Sequence, residues 1–359
     1  MANAVVDQIT STNIDLADAA RRAKSSKTFL GKLKSLLKRL IAYVSNANNW
    51  QSSPKLWIIA LIFLRCAYVF LKEFGWLGKK NLKGDHVFLT GAGNGIGRLM
   101  AIRFGKLGCS LSLSDVNMQG LEETKQMCIA EGISADKIYT MHCDVSSRDS
   151  ISQAARSAIA AFGTVTVLVN NAGIVSAKKF LELSDQMIER TFAVNTLAHF
   201  YTVKEFLPGM IEKKRGHVVN IVSMAAFSGI PYLADYTASK AGAFMIDESL
   251  RHELNKDGHS GYIKTTCICP YFINTGMFDG AQKAWPMYIL DPKRVVDRIM
   301  SAVQQEEKMV VLPYRGAIIM PLVRLLPTSV ADQIGKTLGL QNQMNDFKGR
   351  GDINTRLAT

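Results

Sequence analysis

Short apolar runs alternate with helical patterns along residues 85–312, and this alternation restricts the fold more than any other feature of the sequence. The seven runs are HVFLTG (86–91), SLSLSD (110–115), KIYTMHCD (137–144), VTVLVNNAG (165–173), HVVNIVS (217–223), IKTTCICP (263–270) and KMVVLP (308–313). Helical patterns lie between them near 95–107, 118–131, 148–162, 183–213, 234–257 and 291–305. Strands that alternate with helices form βαβ units. The sequence therefore predicts an α/β fold with a single doubly wound parallel sheet of seven strands.

A glycine cluster, TGAGNGIG (90–97), lies between the first predicted strand and the first predicted helix. Glycines there let backbone N–H groups approach a pyrophosphate, and the helix N-terminus adds positive partial charge. This pattern indicates a Rossmann-type dinucleotide site. Asp115 ends the second strand, where a carboxylate accepts hydrogen bonds from both ribose hydroxyls and repels a 2′-phosphate. Neither Asn94 nor Val116 offers a cation to that phosphate, so we predict NAD as the cofactor, with NADP as the less favoured alternative.

Five ordered motifs in residues 85–312 resemble those of the short-chain dehydrogenase/reductase family. They are TGAGNGIG (90–97), CDV (143–145), NNAG (170–173), the serine of IVSMAA (221–226) and YTASK (236–240), with an asparagine in FAVNTLAHF (192–200). The resemblance implies a catalytic tetrad of Asn195, Ser223, Tyr236 and Lys240. It also implies a set of cofactor contacts, which are Gly91, Asn94, Gly95, Ile96, Gly97, Asp115, Asp144, Val145, Asn171, Ala172, Gly173, Tyr236, Lys240 and Thr275.

The predicted tetrad suits hydride transfer between an alcohol carbon and nicotinamide. Tyr236 would take the hydroxyl proton, but an ordinary tyrosine pKa of about 10 is too high for a base at neutral pH. Lys240 follows four residues later on the same helical face, so we expect it, with the oxidised nicotinamide, to lower the pKa of Tyr236. Ser223 would hydrogen-bond the reacting oxygen. By resemblance, Asn195 holds a water that links Lys240 to solvent, and Lys240 binds the nicotinamide ribose.

The sequence departs from the family pattern after the sixth strand. The family has Pro-Gly there, whereas CPYFINTGMF (269–278) places Tyr271 in the glycine position. This segment resembles a membrane-associated branch of the family that includes retinol and hydroxysteroid dehydrogenases. The predicted substrate pocket is mostly apolar and consists of Ser223, Phe227, Phe272, Met277 and Phe278. We therefore expect a lipophilic alcohol, of the retinol or steroid type, as the substrate.

The N-terminal region combines an apolar run with strong positive charge. LWIIALIFLRCAYVFL (56–71) is sixteen residues long, about 24 Å as a helix, which is shorter than a hydrocarbon core of about 30 Å. Upstream, KTFLGKLKSLLKRLIAYV (27–44) has the pattern of a basic amphipathic helix that lies in a membrane surface. Residues 1–84 have a net charge of +10, whereas the remaining 275 have +3, which argues against nucleic acid as a partner. We expect an embedded anchor that does not cross the bilayer, with a single crossing helix as the alternative.

These patterns divide the chain into a polar extension (1–26), an anchor region with a basic amphipathic helix and an apolar segment (27–82), a catalytic domain (83–312) and a C-terminal apolar segment with a tail (313–359). Six cysteines without metal-ligand spacing predict no metal site and favour the cytosolic face. The resemblance implies the endoplasmic reticulum membrane or a lipid droplet as the location, and a homodimer built on the fourth and fifth helices. Two alternatives remain at this point: an NADP-linked ketoacyl or lipid carbonyl reductase, and a lipid-droplet coat or scaffold protein with a relic enzyme fold.

Overall fold

Seven parallel strands form the centre of the fold. The computed structural model describes residues 79–349, so the predicted extension and residues 27–78 of the predicted anchor region lie outside the described residues. The strands are β1 (His86–Thr90), β2 (Ser110–Asp115), β3 (Ile138–His142), β4 (Val167–Asn170), β5 (Gly216–Ile221), β6 (Ile263–Pro270) and β7 (Met309–Leu312). They pair in the order β3-β2-β1-β4-β5-β6-β7. The predicted doubly wound parallel sheet is confirmed.

Helices cover both faces of this sheet. They are α1 (Gly95–Lys106), α2 (Met118–Ala130), α3 (Arg148–Phe162), α4 (Asp185–Phe192), α5 (Ala198–Glu212), α6 (Ala234–Lys256), α7 (Pro292–Gln305), α8 (Tyr314–Arg324) and α9 (Thr328–Thr337). Successive side chains of β1 point to opposite faces: Val87 and Leu89 join the core that contains α1, and Phe88 joins the core that contains α3 and α5. Because both faces are covered, most strand residues are buried on either side of the sheet, and in β2 even Ser112 and Ser114 are fully buried.

The strand order reverses between β1 and β4, and this reversal fixes the place of the functional site. From β1 the chain winds outward to β2 and β3, and from β4 it winds the other way through β5 and β6 to β7. In a doubly wound sheet, such a switch point leaves a crevice outside the carboxyl ends of the strands. The glycine cluster follows β1 directly, and the NNAG motif begins at the last residue of β4. Both motifs therefore lie at the crevice.

The structure differs from the prediction in two helical regions. The helix predicted over 183–213 is interrupted by a π-helical turn, Ala193–Leu197, between α4 and α5. A π turn displaces backbone from the regular α-helical ladder and is frequent at functional sites. The C-terminal apolar segment forms α8 and α9, and each begins directly after a proline, Pro313 or Pro327. Within residues 79–349, no helix combines the length and apolarity that a membrane crossing needs.

Candidate active site

A cavity of about 560 Å³ occupies the crevice at the carboxyl ends of the strands. Every residue predicted to bind the cofactor lines it, from the glycine cluster to Thr275. Three members of the predicted tetrad meet there, since Ser223, Tyr236 and Lys240 also line the cavity. The topology thus brings together residues that are spread over nearly two hundred positions in the sequence.

The glycine cluster forms a cradle with the shape that a pyrophosphate requires. Gly91 and Gly95 have φ angles of 66° and 55°, in the left-handed region that glycine tolerates best. A Cβ at Gly97 would collide with the carbonyl oxygen of Gly91, so the turn and the start of α1 can approach only without side chains. Asn94 caps α1, because its side chain accepts a hydrogen bond from the N–H of Gly95 at 2.5 Å. These residues fit a dinucleotide phosphate at the N-terminus of α1.

Asp115 lies beside this cradle at the end of β2. One carboxylate oxygen accepts from the N–H of Gly93 at 2.9 Å, and the other accepts from the N–H of Asn117 at 3.0 Å. A carboxylate held in this way has lone pairs left for ribose hydroxyls. The guanidinium of Arg98 is already engaged, because it donates to the carbonyl of Gly93 and to Glu123, both at 2.7 Å. The carboxylate of Asp115 and the guanidinium of Arg98 are thus both held in place beside the cradle.

The ends of β3 and β4 complete the cofactor half of the cavity. Asp144 accepts two hydrogen bonds from Ser146, at 2.9 Å from its N–H and 2.7 Å from its hydroxyl, which fixes the loop after β3. The side-chain amide of Asn171 donates to the carbonyls of Thr90 and Gly91, both at 3.0 Å. This pair of hydrogen bonds ties the NNAG motif to the first residues of the cradle.

The side chains of Tyr236, Lys240 and Ser223 converge at the other end of the cavity. Tyr236 and Lys240 are one turn apart on α6, and the lysine Nζ lies 5.9 Å from the centre of the tyrosine ring. That Nζ donates to the carbonyl of Ile221 at 3.0 Å, which holds the lysine against the end of β5. The hydroxyl of Ser223 accepts from the N–H of Ala225 at 3.1 Å and hydrogen-bonds Tyr236. Two hydroxyls therefore meet where a reacting oxygen would bind.

Asn195 lies behind these residues rather than on the cavity surface, and it is fully buried in the π turn. Its amide accepts from the N–H of Ile174 and donates to the carbonyl of the same residue, both at 2.9 Å. It also donates to the hydroxyl of Ser239 on α6 at 3.1 Å. The side chain thus joins the loop after β4 to α6. The predicted water relay through Asn195 stays a prediction.

Burial dominates the protonation of the two ionisable groups. It raises the pKa of Tyr236 to about 12, and the hydrogen bond from Ser223 offsets only part of this effect. Burial also lowers the pKa of Lys240 to about 8. Lys240 is not among the causes of this shift, since burial raises the pKa of Tyr236 and only the Ser223 hydrogen bond lowers it. The lowering that we expect from Lys240 together with the oxidised nicotinamide stays a prediction.

The predicted substrate residues do not all reach the cavity. Ser223, Met277 and Phe278 line it, but Phe227 and Phe272 do not. Phe272 stacks behind Phe278 with ring centres 4.7 Å apart, because it lies on the buried side of the loop after β6. Phe227 packs against Phe244 at 4.9 Å. These two phenylalanines support the wall rather than form its surface.

Sequence reasoning missed several residues that shape the cavity. Ile174 and Val194 add apolar wall, and Arg190 adds a cation at the edge. Their positions carried a usable signal, since Ile174 directly follows the NNAG motif and Val194 directly precedes Asn195. Tyr271 also lines the cavity, although the sequence indicated it only as a departure from the family pattern.

Comparison with known proteins agrees with this geometry. Residues 85–285 match the family described as short chain dehydrogenase. The chain is 41% identical to human epidermal retinol dehydrogenase 2 over 306 residues, which is 83% of this chain and 97% of that protein. It is 40% identical to estradiol 17-beta-dehydrogenase 11 of Macaca fascicularis over 75% of this chain and 88% of that protein.

Solved structures show the same fold with both nicotinamide cofactors. A short chain dehydrogenase/reductase from Burkholderia phymatum in complex with NAD has 25% identity and a TM-score of 0.62, covering 73% of this chain and 97% of that chain. A metagenomic short-chain oxidoreductase in complex with NADP has 26% identity and a TM-score of 0.55, covering 65% and 97%. The fold, the ordered motifs and these relatives lead to one conclusion: this chain belongs to the short-chain dehydrogenase/reductase family and is an oxidoreductase.

Proposed function

We propose that this enzyme uses NAD to oxidise a lipophilic alcohol of the retinol or steroid type at a membrane surface. The observation that carries the proposal is the position of two hydroxyls, those of Tyr236 and Ser223, at one end of an otherwise largely apolar cavity. Such a cavity orients a greasy substrate through its single polar group. The names of the two mammalian relatives, a retinol dehydrogenase and an estradiol dehydrogenase, support the same substrate class.

Each side chain has a distinct part in the proposed reaction. Ser223 holds the alcohol oxygen, and Tyr236 removes the hydroxyl proton. Lys240 keeps a positive charge close to the phenol ring and is anchored by the carbonyl of Ile221. A bound oxidised nicotinamide supplies the hydride acceptor and the additional positive charge that the buried phenol needs. The cradle from Gly91 to Gly97 and the amide of Asn171 would position that cofactor.

The preference for NAD rests on the charges at the ribose end. A 2′-phosphate there would meet the carboxylate of Asp115, while the next three residues along the cavity wall are Val116, Asn117 and Met118. None of these four side chains can neutralise a phosphate. The NADP-linked reductase remains the second candidate, because one structural neighbour was solved with NADP.

Membrane association of the enzyme is supported by its surface as well as by the predicted anchor. One face of α8 exposes Tyr314, Ile318 and Leu322, which recur at helical spacing, and Leu325 follows α8 with 82% of its surface exposed. Exposed apolar side chains in such a row are typical of a membrane or protein contact. Arg324 donates from the same helix to the carbonyl of Phe227 at 2.6 Å, so α8 lies beside the substrate end of the enzyme. We propose that the catalytic domain lies on the cytosolic face of the endoplasmic reticulum or a lipid droplet.

A substrate panel tests this proposal directly. Membranes that contain the full-length protein are supplied with retinols, steroids or long-chain alcohols, each with NAD and with NADP. We expect NAD-dependent oxidation of at least one lipophilic alcohol. The variant Tyr236→Phe should lose nearly all turnover and still bind NADH, because it lacks only the hydroxyl that takes the proton. Turnover by this variant at the parent rate would contradict the assignment, and a strong preference for NADPH with ketones would favour the reductase.

A further inference from the structure

Tyr271 is the centre of a buried hydrogen-bond junction at the end of β6. Its hydroxyl accepts from the N–H of Ala284 at 3.1 Å and hydrogen-bonds the side-chain amide of Gln343. Gln343 is completely buried, although it belongs to the C-terminal segment of the chain. Burial raises the pKa of Tyr271, so the phenol stays protonated. One side chain of the cavity wall is thus bonded to two distant parts of the chain.

The residues on either side of Gln343 run along the loop that follows Thr275. We call residues 276–285 the substrate loop and residues 338–349 the C-terminal strap. Four backbone hydrogen bonds join them. Gln282 donates to the carbonyl of Gln343 at 2.7 Å and Trp285 to that of Leu338 at 3.1 Å, while Lys348 and Gly349 both donate to that of Asp279, at 2.8 and 3.2 Å. A Cβ at Gly280 would collide with the carbonyl of Asp346. The strap is therefore packed against the loop along most of its length.

A row of aromatic rings connects this junction to Tyr236. The ring of Tyr271 lies 4.5 Å from that of Phe272, and Phe272 lies 4.7 Å from Phe278. Phe278 then meets the ring of Tyr236 edge-on at 5.7 Å. Aromatic pairs at these separations stabilise a preferred arrangement of the rings. The position of Phe278, which faces the cavity, thus depends on Tyr271 at one end of the row and on Tyr236 at the other.

We propose that Tyr271 is a positioning residue that determines substrate binding, because its hydroxyl fastens the substrate loop to the C-terminal strap and so holds Phe278 in the pocket wall. The inference rests on the proposed function in one respect, namely that a lipophilic substrate packs against that wall. A phenylalanine at this position would keep the aromatic row but would leave Ala284 and Gln343 without their shared partner. Buried polar groups without partners destabilise the arrangement that buries them, so the loop and the strap would separate more often.

The test compares Tyr271→Phe with Tyr288→Phe in the full-length protein. The same atom is removed in both, but Tyr288 is half exposed in the chain that follows the substrate loop. Gln343→Ala is paired in the same way with Gln341→Ala, whose side chain is exposed. Thermal unfolding and NADH binding are measured first. We expect all four variants to fold and to bind NADH, with thermal stability lower in Tyr271→Phe and Gln343→Ala than in their controls. Hydrogen exchange of the substrate loop and steady-state kinetics then follow.

We expect the amides of residues 276–285 to exchange at least about tenfold faster in Tyr271→Phe and Gln343→Ala, because the loop opens locally more often. The double variant should exchange no faster than Tyr271→Phe, since that change alone already removes both hydrogen bonds of the junction. The KM for a long lipophilic alcohol should rise about tenfold, with kcat changed by less than about threefold. A small alcohol that does not reach Phe278 should show a weaker effect on KM.

Two results would overturn the inference. One is loop exchange in Tyr271→Phe that matches Tyr288→Phe, and the other is faster exchange without any change in KM for the long alcohol. Hydrogen exchange needs no substrate, so it tests the junction even if the parent enzyme oxidises none of the alcohols. A parent enzyme that oxidises none of the alcohols would contradict the proposed function and leave the inference about the junction to hydrogen exchange. If Tyr271→Phe fails to fold and therefore loses NADH binding, Gln343→Ala tests the junction instead. That variant removes the hydrogen bond from the strap and leaves Tyr271 in place.

Discussion

Asp247 is a buried carboxyl that affects the stability of the protein, although it lies away from the reacting atoms. It lies on α6, two turns beyond Lys240, and accepts from the side-chain amide of Asn220 at 2.7 Å. Asn170 in turn donates to Asn220 at 2.9 Å, so a polar chain crosses from β4 to α6 through β5. Burial raises the pKa of Asp247 to about 6, against the opposing effects of Asn220 and Arg251. The folded protein therefore takes up a proton at this carboxyl more readily than the unfolded chain does.

This shift predicts a stability effect with a definite sign. Between the ordinary value of 3.8 and the raised pKa of about 6, the folded state binds more protons than the unfolded state, so stability falls as the pH rises through this window. Asp247→Asn keeps an acceptor for Asn220 but carries no charge. We expect it to raise the free energy of unfolding by roughly 1 to 3 kcal/mol at pH 8 and by much less at pH 4. Urea unfolding at the two pH values measures this difference, with the exposed Asp257→Asn as the control.

Asp115 gives a second prediction at the scale of one residue. Asp115→Asn removes the charge that repels a 2′-phosphate and keeps one acceptor for the N–H of Gly93. We expect the ratio of kcat/KM for NAD to that for NADP to fall about tenfold, equivalent to about 1.4 kcal/mol. Asp136→Asn, an exposed change far from the cradle, should leave the ratio unaltered. An unaltered ratio in Asp115→Asn would contradict the assignment of cofactor preference to this carboxylate.

At the scale of elements, the strands were predictable because a buried parallel strand is a continuous apolar run with turn residues at its ends. The position of Tyr236 and Lys240 on one helical face also followed from their spacing. Three features did not follow from local pattern. The π turn around Asn195 depends on contacts with the loop after β4. Pro321 lies inside α8, where a proline normally indicates the end of a helix. The hydrogen-bond partners Tyr271 and Gln343 lie 72 positions apart. The pKa of Tyr236 depends on burial by several elements at once, so no motif could give it.

An ion pair joins the starts of β1 and β5. We expect its removal to lower the stability of the protein. Arg215, directly before β5, donates to both carboxylate oxygens of Asp85, directly before β1, at 2.6 and 2.7 Å. The side chain of Asp85 is only 2% exposed, whereas that of Arg215 is 43% exposed. Arg215→Met leaves a buried carboxylate without its cation. We expect the free energy of unfolding to fall by about 1 to 3 kcal/mol, a range set below that of a fully buried pair because solvent screens the arginine.

Urea unfolding at pH 7 measures this loss, with Arg148→Met as the matched control, because Arg148 is exposed at the start of α3. NADH binding should persist in both variants, since this ion pair lies at the opposite end of the sheet from the cradle. Equal stability of the two variants would show that solvent and Lys80, a second cation that interacts electrostatically with Asp85, compensate for the missing guanidinium. The stability of the sheet at the starts of β1 and β5 would then not depend on this ion pair.

At the scale of the whole molecule, the exposed surface of α5 and α6 bears on the predicted homodimer. The apolar side chains of Leu197, the last residue of the π turn, and Phe200, on α5, are 41% and 47% exposed, and Met245 on α6 is 51% exposed. The π turn approaches α6 closely, because a Cβ at Gly242 would lie 2.9 Å from the side chain of Thr196. Exposed apolar side chains on two such helices suit an isologous contact, in which the same surface meets itself across a two-fold axis.

Phe200→Glu tests this surface in the intact enzyme. A two-fold contact places each new carboxylate in an apolar interface, close to its copy on the partner, so burial and repulsion both oppose association. We expect the detergent-solubilised parent to behave as a dimer in light scattering and the variant to behave as a monomer that still binds NADH. Met127→Glu introduces the same charge at an apolar residue of α2 that is 41% exposed, and it should leave the dimer intact. A Phe200→Glu variant that stays dimeric would exclude this face as the interface, and the row of exposed side chains on α8 would then become the surface to change.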